Sequence, residues 1–196
     1  GKVTLNRPQV LNALSRSLYS ELDRAVAEME NDDEVKAIIF TGAGGRAFSA
    51  GADIHEMARL AKAPIAPAQD EKRPNYPWHI AACTKPTIGA LNGLCFGGGA
   101  VLASSFDIRV GCAQTSFKFL AASYGRVNST WSLPMQVGWP IAKELLFTAR
   151  VVEAKEALQM GLINHLVSPT ALMPKAIELA KHKPAKCIIY QRKDFK

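Results

Sequence analysis

The sequence predicts an α/β fold of stacked strand–strand–helix units, and three observations carry that expectation. Short β-rich runs closed by glycine alternate with stretches whose apolar residues recur at helical spacing. The order strand, strand, helix recurs about three times, which suits a spiral of ββα turns better than an alternating βα sheet. The 196 residues are 48% apolar and only 21% charged, enough to bury one large core and too apolar for disorder.

Val3 to Leu5 reads as a strand ending at "NRP". Ser15 to Met29 places Leu18, Leu22, Val26 and Met29 on one helical face, and Asn31-Asp32-Asp33 breaks it. "VKAIIFTG" is a short buried strand of the parallel kind. "GAGGRAFSAGADIHEMARLA" is a glycine-rich turn feeding a helix from about Asp53. Pro64 to Pro77, with four prolines and several charges, reads as a surface loop and the most mobile segment. "KPTIGALNG" is another strand and leads into the triplet of "CFGGGAVLASSFDIRV", whose Ala100 to Phe106 is helical in character. "FDIRVGCAQTSFKF" reads as two strands joined by a polar turn. From Ile141 the chain turns helical through "AKELLFTAR" and "EAKEALQMGLI", with Gly161 ending the second helix before the strand "INHLV".

Composition excludes several classes. The longest apolar runs, around Ile38 to Phe40 and Leu145 to Phe147, fall far short of the roughly 20 residues of a membrane helix, so no membrane span is expected. The opening "GKVTLNRP" carries no leader, although a chain that begins in a strand leaves room for a lost start; a cytoplasmic or organelle-matrix protein is the expectation. Cys83, Cys95, Cys112 and Cys187 have no CxxC or metal spacing and read as reduced core thiols, with no metal expected. The net charge of +7 is spread along the chain, clustering only at Lys72-Arg73 and Lys181 to Lys196, so a solvated face is favoured over nucleic-acid binding.

Two glycine-bearing turns, "FSAGADI" and "FGGGAVL", each follow a strand and open a helix. Helix starts present unpaired N–H groups, and glycine removes the side chain that would block an incoming atom. Two such turns side by side supply two donors for one oxygen, an oxyanion hole. The triplet fits neither GxGxxG nor GxxxxGK[ST], so a nucleotide phosphate site is not supported, and by itself it reads equally well as a tight turn.

Taken together, "LNRPQVLNAL", "AFSAGADIHEM", "KPTIGALNGLCFGGG", "FDIRVGCAQTSFKF" and "AKELLFTARVVEAKEALQMGLIN" resemble the enoyl-CoA hydratase/isomerase (crotonase) family, in order and spacing, from Val3 to about Leu179. The resemblance implies a crotonase-like spiral forming one domain over 1–196, with its core at about 1–168. The start of a C-terminal helical region falls at 169–196, so that subdomain is short or absent. It implies an acyl-CoA thioester substrate, with coenzyme A as part of that substrate and no separate cofactor, and a homotrimer or dimer of trimers active in fatty acid metabolism. The backbone N–H groups of Ala52 and Gly98 would hold the thioester oxygen. Gln9, Val10 and Leu11, together with Ala50, Asp53, Ile54 and His55, would cradle the coenzyme A moiety. Arg7, Lys62, Lys72 and Arg73 are loose candidates for its phosphates.

Three departures from the family pattern stand out. The glutamate expected two residues after the triplet is Val101, and the one expected fourteen residues after Asp107 is Ala121; neither can transfer a proton, which argues against ordinary hydration. The loop at 125–130 is about three residues short, leaving Asn128 and Ser129 where other members place an aspartate. The chain stops after "CIIYQRKDFK", where family chains continue with further helices, so it reads either as a natural short form or as part of a longer chain. His55, Glu56, His79 and Tyr124 are the remaining proton carriers, with His79 and Glu56 foremost. An isomerase, decarboxylase, hydrolase or atypical hydratase is expected; the alternative is a catalytically weak acyl-CoA or protein-binding module.

Overall fold

A computed structural model describes residues 1–62, 76–130 and 132–181. Strand β1 (Lys2–Leu5) leads into helix α1 (Arg16–Asn31), started by Ser15, whose hydroxyl accepts the Leu18 N–H. Leu22 and Val26 on its inner face are buried, as their four-residue spacing requires. Three strand–strand–helix turns follow. The first is β2 (Ile38–Gly42), β3 (Ala47–Ser49), α2 (Ile54–Ala61) and the short α3 (Tyr76–Ala81). The second is β4 (Thr87–Leu91), β5 (Leu94–Phe96) and α4 (Gly98–Ala103). The third is β6 (Ile108–Cys112), β7 (Ser116–Lys118), α5 (Ser132–Val137) and α6 (Trp139–Thr148). Then come β8 (Val152–Glu153), α7 (Ala154–Gln159), β9 (His165–Val167) and α8 (Leu172–Lys181).

Each turn gives one strand to each of two sheets. The first sheet runs β1-β2-β4-β6-β9 and is wholly parallel; the second runs β3-β5-β7-β8, antiparallel only between β7 and β8. "FDIRVGCAQTSFKF" therefore holds two strands of different sheets, not a hairpin. The central strands β2, β4 and β6 of the five-stranded sheet are buried on both faces, which explains the unbroken apolar runs read in the sequence. Ile38 and Phe40 face the main core, while Ile39, Ile88 and Val110 face α8 through Leu172 and Ala176. Phe40 stacks on Phe106 at 4.6 Å and Phe48 meets that ring edge-on at 5.9 Å. Gly89 makes room for it, since a Cβ there would lie 2.5 Å from the Phe106 ring. Each buried phenyl contributes about 2 kcal/mol. Arg109 is consumed inside this core by the Leu162 and Phe106 carbonyls, and burial pulls its guanidinium down to about 10, still charged at neutral pH.

The helical region starts earlier than Ile141. Pro134 and Pro140 fall in the first turns of α5 and α6, where the missing N–H has no intrahelical partner to lose, and Gly138 at φ +79° separates the two helices. Prolines that look like loop signals here mark helix starts. Residues 63–75 of the expected Pro64–Pro77 loop, with Lys72 and Arg73, lie outside the described residues, as does Cys187; α3 takes in Pro77. Cys83, Cys95 and Cys112 are buried.

Candidate active site

The first turn of the site is fixed by Asn12. Its side chain accepts the Arg7 N–H at 2.9 Å and donates to the Ala43 and Ala47 carbonyls at 3.0 and 2.9 Å. Its carbonyl accepts from the Ser49 hydroxyl, whose oxygen accepts the Gly51 N–H. The segment from Leu11 to Leu14 then runs alongside Ala50 to Asp53. Ala50 donates to Leu11, Leu14 to Gly51 and Asp53 to Leu14, at 2.9, 2.7 and 3.2 Å. In such a pairing alternate N–H groups point away from the partner strand. The Ala52 N–H is the one left over, and it donates to no acceptor among the described residues.

The second turn is the glycine triplet, and each glycine answers a different demand. Gly97 holds a positive φ of 50° that turns the chain out of β5. Gly99 is pressed against β3, where a Cβ would come within 2.2 Å of the Ser49 carbonyl oxygen. Gly98 opens α4, so its N–H has no intrahelical partner, and it too donates to no acceptor among the described residues. A Cβ built on Gly98 would lie 3.6 Å from the Ala52 nitrogen. Gly51, at φ +92°, permits this approach, since a Cβ there would lie 2.8 Å from the Gly98 nitrogen. The two turns named from sequence are thus neighbours, with an uncommitted N–H on each.

They open on a cavity of about 560 Å³. Its described lining comprises Ala50, Ala52, Ile54 and Met57 of the first turn and α2, Gly97 and Gly98 of the triplet, and Leu120, Ala121, Tyr124, Arg126 and Asn128 of the segment after β7. Among the described residues, Tyr124 and Arg126 are the titratable groups on this lining, and none of those residues brings a carboxylate or an imidazole to it. Among the described residues no group of acidic, His and Cys side chains is arranged to hold a metal ion.

Several sequence candidates lie elsewhere or are already committed. Asp53 caps α2, accepting the His55 and Glu56 N–H groups, and pairs with Arg7 at 2.9 Å. The Glu56 N–H first, then Arg7, hold its carboxyl below the usual carboxylate range. Arg7 is thereby spoken for, and it also donates to the Ala13 carbonyl. Glu56 accepts the Arg16 N–H at 2.9 Å, binding the start of α1 to α2, and His79 is held by Asp23 of α1. Neither Glu56 nor His79 lines the cavity, and nor do Val101, His55, Gln9, Val10 or Leu11. His55 and Lys62 are exposed on α2 and at its end. Sequence reasoning missed Arg126 and Asn12. The first sits in "GRVN", which carries no motif, and the second is visible only through contacts more than thirty residues away.

A family model described as enoyl-CoA hydratase/isomerase matches residues 1–192. The chain belongs to the enoyl-CoA hydratase/isomerase family. A short-chain-enoyl-CoA hydratase of Clostridium acetobutylicum is 40% identical over 91% of this chain and 69% of its own length. The human mitochondrial methylglutaconyl-CoA hydratase is 34% identical over 90% of this chain and 54% of its own. The crystal structure of an enoyl-CoA hydratase from Mycobacterium marinum superposes with a TM-score of 0.84 at 33% identity, covering 93% of this chain and 86% of that one. The spiral of ββα units is thus the fold of this enoyl-CoA hydratase/isomerase family member, as the resemblance implied. Among its described residues no helix is long and apolar enough to cross a membrane.

Proposed function

We propose that this chain binds an acyl-CoA thioester with its carbonyl oxygen between the Ala52 and Gly98 N–H groups and stabilises the enolate formed from it. The observation that carries this reading is the adjacency of two donors, uncommitted among the described residues, on the lining of one cavity. Donors fixed in advance hold the charged enolate oxygen more strongly than the neutral carbonyl, and that difference lowers the barrier. Coenzyme A lies along Gln9 to Leu11, Ala50 and Asp53 to His55, where two backbone segments run side by side. Calorimetric titration with crotonyl-CoA tests the reading; absence of binding contradicts it.

Val101 and Ala121 stand where the hydratase glutamates are expected, and the lack of a carboxylate among the described lining residues favours a reaction other than ordinary hydration: isomerisation, decarboxylation, hydrolysis or an atypical hydration. The same lack supports a second reading, an acyl-CoA or protein-binding module with weak chemistry. Crotonyl-CoA binding with hydration near background excludes an ordinary hydratase, and turnover of any other acyl-CoA separates enzyme from module. Assembly as a trimer or dimer of trimers is supported by the exposed apolar side chains Val127, Met135, Trp139 and Phe147. Light scattering showing a monomer contradicts that part.

A further inference from the structure

Ser49, fully buried at the end of β3, touches both donor turns. Its hydroxyl donates to the Asn12 carbonyl at 2.8 Å and accepts the Gly51 N–H at 3.2 Å, a double duty that a hydroxyl performs and an aliphatic side chain cannot. The other side of Gly51 is held as well, because its carbonyl accepts the Leu14 N–H at 2.7 Å. That carbonyl and the Ala52 N–H belong to one planar trans peptide, so they point in opposite directions. With the Gly51 N–H pinned by Ser49 and the Gly51 carbonyl pinned by Leu14, the peptide that carries the Ala52 donor has its direction set, at the positive φ of 92° that glycine allows. The second turn rests on the same residue. The start of α4 lies so near that a Cβ on Gly99 would come 2.2 Å from the Ser49 carbonyl oxygen and 2.9 Å from the Ser49 Cβ. Asn12, which anchors the hydroxyl, is itself fixed: it is fully buried at φ +55° and held by three side-chain hydrogen bonds.

Resting on the reading of the site as a thioester pocket, we propose that Ser49 is a positioning residue of that site: its hydroxyl aims the Ala52 N–H, and its backbone seats the Gly98 turn beside it. Ser49 is not on the cavity lining, and it neither touches the thioester nor moves a proton. It works by fixing two donors before a substrate arrives. A donor held in place interacts most strongly with charge that develops at that place, so loss of the hydroxyl weakens the hold on an enolate more than the hold on a neutral carbonyl. Without the hydroxyl the buried Gly51 N–H loses its acceptor, and any turn of its peptide toward another also swings the Ala52 donor off the shared oxygen.

The test is a pH titration of bound acetoacetyl-CoA, whose acidic carbon between two carbonyls gives up a proton to the buffer and leaves an enolate that absorbs in the near ultraviolet. Two aimed donors should hold the enolate pKa of the bound ligand below that of the free one. Ser49→Ala should raise the bound value by about one unit, which is an about tenfold loss of preference for the enolate over the neutral form. Affinity for coenzyme A without an acyl group should be unchanged. Ser49→Cys, whose sulfur is a weaker donor and acceptor in the same place, should fall between the two. Spectra are taken at a temperature where melting curves show each variant folded, so a residue that only supports the fold leaves the enolate pKa where it was. An unmoved enolate pKa in Ser49→Ala overturns the inference, and so does one unmoved in Ser49→Cys if the alanine variant does not fold. Equal weakening of acetoacetyl-CoA and coenzyme A, with no change in enolate pKa, also overturns it and assigns Ser49 to the coenzyme A segment. Those outcomes leave the thioester site standing, whereas an unaltered chain that binds acetoacetyl-CoA at its free pKa removes the parent reading and this inference together.

Discussion

Replacing Gly98 with alanine adds a single methyl group where the two glycine turns meet. The new carbon lies 3.6 Å from the Ala52 nitrogen, 3.3 Å from the Leu14 side chain and 3.4 Å from the Tyr19 hydroxyl. An oxygen accepting from Ala52 must sit about 2.9 Å from that nitrogen, and a methyl carbon tolerates oxygen no nearer than about 3.3 Å. The methyl therefore intrudes on the shell the thioester oxygen needs and displaces it from one donor. A hydrogen bond lost in the bound ground state is worth about 1 kcal/mol, a weakening of about fivefold in Kd. The loss grows as charge develops on the oxygen, and removal of one oxyanion donor lowers kcat by about 10² to 10³. The fold should be nearly indifferent. Leu14 and Tyr19 yield by a few tenths of an ångström, and Gly98 is not held at positive φ, so alanine can adopt its backbone. Gly99→Ala, by contrast, drives its methyl to 2.2 Å from the Ser49 carbonyl oxygen and should destabilise the fold itself. Calorimetric titration with an acyl-CoA, alongside thermal melting of both variants, reads the two effects apart. Unchanged acyl-CoA affinity in a well-folded Gly98→Ala protein refutes the proposed thioester site.

Three further outcomes are expected. Val101→Glu with Ala121→Glu should raise crotonyl-CoA hydration about tenfold or more over the parent, each single change doing less, because acid and base act together on one water; loss of the enoyl-thioester absorbance measures it. The gain is limited because Ala121 is buried, and a desolvated carboxyl tends to stay neutral. Asp53→Ala should lower stability by about 1–2 kcal/mol through loss of the α2 cap and the Arg7 pair. Because the folded-state pKa of Asp53 is depressed, its contribution is complete above the ordinary aspartate pKa and fades as pH falls through the depressed value. Thermal melts against pH should show the variant deficit shrinking in acid, and a pH-independent deficit contradicts this.

The strands, the two glycine turns and the order of elements could be read from the chain because each depends on local chemistry. Buried parallel strands must be apolar throughout, and Gly51 and Gly97 adopt positive φ that other residues resist. What could not be read depends on pairs far apart in sequence. That Glu56 caps the start of α1, and that Asp23 holds His79, follows from packing between helices, so both looked like candidate proton carriers until their partners were in view. Arg126 was hidden for the opposite reason. Among the described residues its exposed side chain has no partner, and only the fold brings it to the cavity lining. The early helix α5 carries Pro134 in its first turn, where proline is tolerated because its missing N–H has no intrahelical partner to lose.

The most direct measurement is isotope-edited infrared spectroscopy of crotonyl-CoA carrying a ¹³C thioester carbonyl, recorded free and bound. Two N–H groups donating to that oxygen should weaken the C=O bond, so the carbonyl stretch should fall to lower frequency on binding and recover part of the way toward the free value in Gly98→Ala. A bound carbonyl at its free frequency, or a shift that Gly98→Ala leaves untouched, contradicts the placement of the thioester between Ala52 and Gly98.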